Sequence, residues 1–306
     1  MRFLFAALTV FAMTAQAQDF GAMGGGLTSG TQLSAEGHAL DGLEEGRIGL
    51  ISTVYRDEQT SFALIGRGER TRLNGRYLRF PKRNVDVPTE FGSADFGFSV
   101  NHHSPHENKY GLSATFGSAG TRLLENEYSP IVSATITWER PSIDGRSWIY
   151  FVNYSNNRPT FNNIPLPGFA YAIREKSRTL VFGLPFIFGN WRPDPWMCTV
   201  VSSPFVVMSE VGYRVRGPLQ VFSGIGWFPR SYQNLVQGSD DRLIFDKKEA
   251  NAGVRLFLGP QTQISLSYLY SFDRRFMLGE SVLEENPDVV KLDDDHGAQL
   301  KLKFGF

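Results

Sequence analysis

His102 and Ser104 come closest, in residue type and spacing, to a catalytic pair in this chain. On an extended strand, residues two apart point to the same face, so the imidazole is placed to act as a base towards the hydroxyl. Hydrolysis of an ester by such a pair also needs a polar group that orients the histidine. No Asn or Asp stands at a matching spacing, and Pro105 follows directly. The pattern favours a polar turn over an active site.

The same segment and a second, acidic run contain residue types that ligate metal ions. Nitrogen atoms of His102, His103 and His106, with Glu107, suit a transition metal. The carboxylates at residues 293–295 suit calcium, but they lack the glycine-punctuated spacing of a calcium loop. Because both runs are typical of solvated turns, the sequence predicts neither a metal site nor a cofactor.

Charged residues on the polar faces of the predicted strands suggest a different function, in which they line a channel. Facing rows of basic and acidic side chains can create a transverse field that orients a permeating solute. The same side chains can instead pair across the interior and fill it. The candidate lumen-lining residues are Glu210, Arg214, Arg216, Arg255, Gln299, Lys301 and Lys303.

Composition narrows the classes of protein that can position such residues. Among 306 residues, 31 are Lys or Arg and 31 are Asp or Glu, so the formal net charge is zero. The chain therefore lacks the basic excess of a nucleic-acid-binding protein. A single cysteine, Cys198, excludes a disulfide framework and a cysteine-based zinc site.

The beginning of the chain matches a secretory signal. Arg2 precedes an apolar run over residues 3–13, and Ala15-Gln16-Ala17 forms a small-x-small cleavage site. Residues 1–17 are therefore predicted to be a signal peptide. The glycine-rich and then acidic residues 18–45 are predicted to form a flexible periplasmic segment, and residues 46–306 a membrane domain.

The last residues alternate strictly between apolar and polar. Ala298, Leu300, Leu302, Phe304 and Phe306 share one face, and polar residues with a glycine share the other. This segment resembles the C-terminal strand of bacterial outer-membrane β-barrels, where the strand is a recognition signal for assembly. The resemblance implies that the barrel-assembly machinery recognises Phe304 and Phe306. It also implies residence in the bacterial outer membrane, in contact with lipid and lipopolysaccharide.

The same alternation recurs along the chain and predicts its fold class. Tight turns such as Gly217-Pro218 alternate with longer polar stretches at residues 156–167, 229–248 and 273–296. The polar face is rich in Ser, Thr and Gly and poor in charge, which suits a wet lumen better than the outside of a soluble sandwich. The sequence therefore predicts an all-β protein, a closed antiparallel up-and-down transmembrane β-barrel of about 12–14 strands. Aromatic residues near strand ends that suit membrane interfaces are Trp138, Trp148, Tyr154, Trp227 and Tyr270.

Five short motifs in the C-terminal half resemble an uncharacterised family of bacterial outer-membrane β-barrel proteins, a family of unknown function. The motifs are Gly183-Leu184-Pro185-Phe186, Asn190-Trp191-Arg192-Pro193, Glu210-Val211-Gly212-Tyr213-Arg214, Ala252-Gly253-Val254-Arg255 and Tyr270-Ser271-Phe272-Asp273-Arg274-Arg275-Phe276. The resemblance implies the barrel fold and implies no activity.

Three functional hypotheses follow from these patterns. The leading one is a passive channel, or a solute- or lipid-binding barrel, that is not an enzyme, uses no cofactor and takes a solute still to be identified. The first alternative is a lipid acyl hydrolase, because His102 and Ser104 on an outer wall are similar to the pair in outer-membrane phospholipases and lipid A deacylases. The second alternative is a structural or adhesive barrel with a filled lumen.

Overall fold

The computed structural model describes residues 31–40, 42–74, 77–104, 108–121, 130–141, 145–232, 241–259 and 261–305. The predicted signal peptide, residues 18–30 of the predicted flexible segment, and Phe306 lie outside these ranges. None of the described residues belongs to a helix that could span a membrane.

Strands make up nearly all of the regular structure in the described residues, as the period-two alternation predicts. In chain order they are β1 (Thr31–Leu40), β2 (Leu43–Arg56), β3 (Thr60–Leu73), β4 (Arg79–Phe80), β5 (Val85–Asp86), β6 (Glu90–His103), β7 (Lys109–Gly120), β8 (Pro130–Pro141), β9 (Arg146–Ser155), β10 (Leu166–Arg174), β11 (Arg178–Leu184), β12 (Ile187–Trp191), β13 (Trp196–Ser203), β14 (Val206–Arg216), β15 (Leu219–Trp227), β16 (Arg230–Tyr232), β17 (Arg242–Phe257), β18 (Gln263–Gly279), β19 (Asp288–Leu292) and β20 (Asp295–Gly305).

Sixteen of these strands form one closed, antiparallel, up-and-down barrel. Each wall strand pairs with the next along the chain, and β1 pairs with β20, so the ring closes. Closure satisfies the ladder hydrogen bonds internally, which lipid requires. β16 and β19 extend the wall beside β17 and β18, and β4 with β5 forms a separate hairpin. The predicted fold class is confirmed.

The wall has more strands than the predicted 12–14, and it begins earlier than residue 46. β1 lies inside the segment predicted to be flexible and pairs with β20 from Gln32 to Leu40. Its outward face carries Leu33 with small residues, so its apolar signal is weak. β11 and β12 have only 7 and 5 residues, fewer than the usual membrane strand of about 9–11. Such short strands are hard to count from periodicity alone.

The two ends of the barrel differ in their connections. At the end where β1 begins and β20 finishes, called here the terminus end, β2–β3, β10–β11 and β14–β15 are joined through residues 57–59, 175–177 and 217–218. Gly217 has φ of 54°, the left-handed conformation that suits glycine in a tight turn. At the opposite end, called the loop end, the connections at 74–89, 156–165, 228–241 and 280–294 are long. The loop-end connections at 41–42, 185–186 and 204–205 have only two residues each, so the predicted alternation of short and long connections holds for only part of the ring.

Two stretches predicted as external loops are partly strand. β17 starts at Arg242, within the predicted loop 229–248, and β18 continues to Gly279, within the predicted loop 273–296. In β18 the cause is a bulge at Asp273, whose φ is 48°, opposite the register shift in β17 between residues 246 and 248. A bulge adds one residue and reverses which side chains face inward. Phe276 and Leu278 therefore point into the barrel and the simple alternation is lost there.

The outer face of the wall carries the large apolar side chains. Phe96 and Tyr268, for example, are 64% and 58% exposed. A soluble sandwich would bury these residues, whereas a membrane barrel presents them to lipid. Other exposed apolar residues at outward positions are Ile48, Leu50, Leu112, Phe116, Ile136, Val152, Val200, Val211, Val254, Leu266 and Leu300.

Aromatic residues on the outer face cluster towards the terminus end, where an interfacial girdle is expected. Trp138 stacks on Tyr150 with ring centroids 5.2 Å apart, and Trp148 contacts Tyr171 at 4.9 Å. Of the predicted girdle residues, Trp138, Trp148 and Tyr270 are exposed. Trp227 is instead partly buried against the apolar cluster of Ile244, Met277 and Val282.

Two further apolar clusters lie on the inner side of the wall. One spans β9 to β14, and there the Phe151 ring contacts Phe186 at a centroid distance of 5.6 Å. The other packs at the loop end, where Phe91 touches Tyr232 and Phe276. The sequence suggested an interior lined by small polar residues. These two clusters show that large apolar residues line part of it.

Replacing an outward residue at mid-wall by arginine tests the assignment of the lipid face. Ile136 lies in the middle of β8 and is 61% exposed. Ile136→Arg is expected to lower the free energy of unfolding by about 2–4 kcal/mol, the usual cost of arginine at the bilayer midplane. Urea unfolding in phospholipid vesicles measures the change, with Ile136→Leu as the matched control. Equal stability of the two variants would contradict a lipid-facing position.

Candidate functional site: a cavity at the terminus end of the lumen

A cavity of ≈ 380 Å³ occupies the lumen near the terminus end. It is walled by the inner faces of β1, β12–β15, β17, β18 and β20, and by the turn between β12 and β13. At that turn, the side chains of Asp194 and Arg214 are 78% and 56% exposed, so the cavity opens to solvent there. The charged residues that line it are Glu36, Arg192, Asp194, Glu210, Arg214, Glu249, Arg255, Lys301 and Lys303.

Arg255 on β17 is held by several partners on the charged side of the cavity. Its Nη1 and Nη2 each lie 2.9 Å from a carboxylate oxygen of Glu210 on β14, a bidentate ion pair. Nη1 also donates to Gln220 Oε1 at 3.1 Å, and Nε donates to Ser265 Oγ at 3.2 Å. The guanidinium lies 4.4 Å from the centroid of the Phe222 ring. The sequence placed Arg255 and Glu210 on polar faces, and the folded chain brings them together.

The seam that closes the barrel is polar on its inner face. Lys301 Nζ on β20 lies 3.4 Å from Glu36 Oε1 on β1, and Gln299 Nε2 donates to the same oxygen at 2.9 Å. Gln299 is buried, and its Oε1 accepts a hydrogen bond from Ser267 Oγ at 3.0 Å. Leu300, between them in sequence, is exposed on the outer face.

The remaining predicted lining residues lie towards the mouth of the cavity. Arg214 Nη1 donates to Asp194 Oδ1 at 3.1 Å. Lys303 also lines the cavity. Arg216 is exposed at the end of β14 and is not among the described residues that line it. Phe304 pairs with Leu33 of β1, and its role as an assembly signal remains a prediction.

Arg192 lines the cavity although the sequence did not single it out for this position. It follows β12, where its backbone N–H donates to Ser177 O at 2.6 Å and its Nε donates to Asn190 Oδ1 at 2.6 Å. Asn190 is fixed in turn by donating to Thr199 Oγ1 at 3.2 Å. Burial, and then the positive charge of Arg255, lower the pKa of Arg192 below its usual range. The spacing of two between Asn190 and Arg192 is the only sequence signal that places both on one face.

Part of the cavity lining is apolar. Met208 and Phe228 line it and also pack against the apolar cluster of β9 to β14. Met197 and Phe257 add apolar surface nearer the mouth. The lining therefore combines basic and acidic groups with thioether and aromatic side chains.

A buried charge network lies between the cavity and the loop end. Lys247 Nζ is 2.7 Å and 2.8 Å from the two carboxylate oxygens of Glu45 and 2.5 Å from Glu249 Oε1. Arg47 and Arg230 approach Glu45 Oε2 at 3.3 Å and 3.4 Å. Glu45 is on β2 and Lys247 on β17, with β1, β20 and β18 between them in the wall. The contact therefore bridges part of the lumen, which it fills with paired charges.

Loops from opposite sides of the barrel meet at the loop end. Ser281 Oγ, after β18, donates to Thr160 Oγ1, between β9 and β10, at 2.8 Å. Val282 N donates to Pro159 O at 2.7 Å beside it. The β9–β10 connection lies eight strands from the β18–β20 connection in the sixteen-strand ring, so this contact spans the mouth. Arg158 secures its own loop, because its Nη1 donates to Ile164 O at 2.9 Å.

The β4–β5 hairpin adds a third segment to this closure. Lys82 Nζ donates to Asn286 Oδ1 at 2.5 Å and to Pro287 O at 3.0 Å. Arg83 Nη2 forms an ion pair with Asp241 Oδ2 at 2.7 Å, and its backbone N–H donates to Asp288 Oδ2 at 2.7 Å. The loop end is thus crossed by polar, non-covalent contacts among four segments.

The candidate catalytic pair lies on a different part of the surface. His102 is exposed on the outer face at the end of β6, and its Nδ1 lies 3.1 Å from Thr60 Oγ1. Ser104 follows the strand, and its backbone N–H donates to Asn108 O at 2.8 Å. Both residues are at the terminus end of the barrel. Of the metal candidates in this segment, His106 and Glu107 lie outside the described residues.

A buried group of His38, Glu45 and Glu249 has ligand atoms close enough to surround a metal ion. His38 Nδ1 is 3.5 Å from Glu45 Oε2 and 3.9 Å from Glu249 Oε1. Lys247 Nζ already lies within 2.8 Å of both carboxylates and supplies the positive charge there. The geometry therefore fits a buried ion-pair network better than a metal centre.

Comparison with known proteins finds no matching family model and no matching curated protein. The predicted resemblance to an uncharacterised barrel family thus remains a prediction.

Solved structures with a similar arrangement include bacterial outer-membrane proteins. An outer membrane channel from Pseudomonas putida F1 is 9% identical in sequence. The match covers 92% of this chain and 97% of that channel, with a TM-score of 0.38. OpdD from Pseudomonas aeruginosa is 11% identical, with 90% and 98% coverage and a TM-score of 0.39. LpxR from Salmonella typhimurium is 9% identical, with 90% and 100% coverage and a TM-score of 0.35.

Proposed function

We propose that the protein is a passive solute channel of the bacterial outer membrane, held closed in this conformation. The cavity at the terminus end carries the proposal, because it is polar, opens to solvent, and lies inside a closed membrane barrel. Charged side chains that line such a cavity are a common means by which a pore selects solutes.

Beside the apolar cluster of Phe91, Tyr232 and Phe276, the closure beyond the cavity includes two layers of polar contacts that can open. The first layer is the charge network of Lys247, Glu45 and Glu249, and the second is the set of loop contacts at Thr160 and Ser281. Neither layer involves a covalent bond or a strand ladder. Motions of loops that separate such layers occur on ns–μs and slower timescales, so brief openings are compatible with a stable wall.

Orientation follows from the connections. Barrels of the outer membrane place short turns in the periplasm and long loops outside. The terminus end, and with it the cavity, is then periplasmic, and the closed loop end faces the exterior. In this arrangement, solute from outside passes the loop contacts first.

Single-channel recording of the refolded protein in planar bilayers tests the proposal. We expect short, ion-selective openings from a mainly closed state. Lys301→Glu is expected to shift the reversal potential towards cation selectivity, because residue 301 lines the cavity and pairs with Glu36. The matched control is Arg178→Glu, which alters an exposed arginine paired with Glu175 at the same end. Silence from protein shown to be folded and inserted would overturn the channel and favour a barrel that only binds or adheres.

A further inference from the structure

Arg192 has no acidic partner among the described residues, unlike Arg214, Arg255 and Lys301, which also line the cavity. Its Nε donates to the neutral amide of Asn190, and Nη1 and Nη2 make no hydrogen bond within the described part of the chain. The Arg192 side chain is accessible from the cavity that it lines, while the surrounding protein removes part of its hydration. The two terminal NH2 groups of the guanidinium are therefore free to bind an anion from the lumen.

The acidic residues of the cavity are each engaged elsewhere. Glu36 pairs with Lys301, and Glu210 pairs with Arg255. At the mouth, Asp194 pairs with Arg214, and at the top Glu249 pairs with Lys247. None of them neutralises Arg192.

A neighbouring cation, Arg255, adds to the positive potential at Arg192. Arg255 acts on Arg192 by repulsion, which together with burial makes the charged form of Arg192 less favourable. A bound anion relieves both effects, because it neutralises the local field and replaces lost hydration with charge-assisted hydrogen bonds. The guanidinium fork matches a carboxylate, which can accept two parallel hydrogen bonds.

The apolar residues in the cavity lining set a second condition on the ligand, which needs an apolar part as well as a negative charge. Met208 and Phe228 line the same cavity as Arg192, and its volume of ≈ 380 Å³ is within the size range of small-molecule sites. A small inorganic anion would leave this surface in contact with water. An organic acid with an apolar body would cover it while its carboxylate meets Arg192.

We infer that the cavity binds small organic carboxylates with an apolar body, with the carboxylate on Arg192 and the body against Met208 and Phe228. The inference rests on the proposed channel for its biological setting, but the binding itself does not require conduction. Arg192 is then the residue that determines specificity for anionic solutes.

Equilibrium binding to the detergent-solubilised, folded protein tests this directly. Hexanoate is the probe, hexylammonium reverses the charge, and acetate removes the apolar body. Isothermal titration is expected to show that hexanoate binds. The affinities for hexylammonium and acetate are expected to be at least about tenfold lower. Hexylammonium loses the hydrogen bonds to a charged group, and acetate loses several buried methylenes.

Two variants separate the role of Arg192 from general damage to the fold. Arg192→Gln is expected to weaken hexanoate binding at least about tenfold, and Arg192→Lys, which keeps the charge, to weaken it less. Arg178→Gln, an exposed arginine at the same end, is expected to leave binding unchanged. Equal binding by Arg192→Gln and the unmodified protein, or equal affinity for hexanoate and hexylammonium, would overturn the inference.

The outcome is distinguishable from that of the recording experiment. Hexanoate binding without conductance would support the anion site and remove the channel. Ion-selective conductance without hexanoate binding would support the channel and remove the anion site.

Discussion

A disulfide between residues 160 and 281 is expected to hold the pore shut. Thr160→Cys and Ser281→Cys, combined with Cys198→Ser so that no other thiol is present, place two thiols where the hydroxyl oxygens are 2.8 Å apart. This separation is close enough for a disulfide to form with little movement of the loops. The cross-link joins connections on opposite sides of the barrel, so it acts on the whole mouth.

The expected size of the effect follows from the stabilisation of the closed state. A cross-link contributes about 3 kcal/mol where it constrains the open state. This shifts a two-state equilibrium about a hundredfold, so open probability in single-channel recordings should fall by that factor. Addition of a reductant to the same bilayer should restore it.

Each single-cysteine variant serves as a control, since it changes the same side chain without forming the cross-link. Both are expected to open at least as often as the unmodified protein, because the hydroxyl–hydroxyl contact is lost. Unchanged open probability in protein with a complete cross-link would mean that solute does not pass beneath these loops.

The wall of this barrel was largely predictable from the sequence, because lipid and lumen impose opposite requirements on alternate residues. Val254 and Arg255 illustrate this, with one exposed outside and the other buried inside. On β1 the difference between apolar outward and polar inward residues is weak, so the alternation does not predict this strand. Where a bulge reverses the alternation, as at Asp273, a strand was taken for a loop.

The contents of the lumen were less predictable, because they depend on contacts between residues far apart in sequence. Glu45 and Lys247 are 202 positions apart and meet only when the ring closes with its particular register. Arg255 was recognised as a lining residue from its own strand, but its pairing with Glu210 required the positions of β14, β15 and β17. Periodicity states which side chains point inward and says nothing about which of them touch.

Removal of the lysine at the centre of the buried network is expected to have the largest effect on stability. The Lys247 side chain is completely buried, and Glu45 and Glu249 beside it are 1% and 3% exposed. Lys247→Met keeps much of the volume but leaves two buried carboxylates without their ammonium. Breaking a buried pair by removing one partner costs about 3–5 kcal/mol. The midpoint of urea unfolding in lipid vesicles should therefore fall, with an unchanged slope if the unfolded state is unaffected.

The neighbouring residue provides the control. Lys248 is 44% exposed and pairs with the exposed Asp273, so Lys248→Met is expected to cost less than about 1 kcal/mol. A second variant, Lys247→Met with Glu249→Gln, removes one of the two carboxylate charges that the Lys247 ammonium had neutralised and should regain part of the loss through coupling between the two sites. If Lys247→Met unfolds at the same urea concentration as the unmodified protein, the network contributes nothing to stability.

The same variant connects the stability of the network with the closure of the pore. The network of Lys247, Glu45 and Glu249 fills the lumen just above the cavity, so its side chains must move before a solute can pass. Lys247→Met takes away the group that joins β17 to β2 and should raise the open probability while it lowers stability. Lys248→Met should change neither. A variant that loses stability without opening more often would show that the permeation path does not pass through this network.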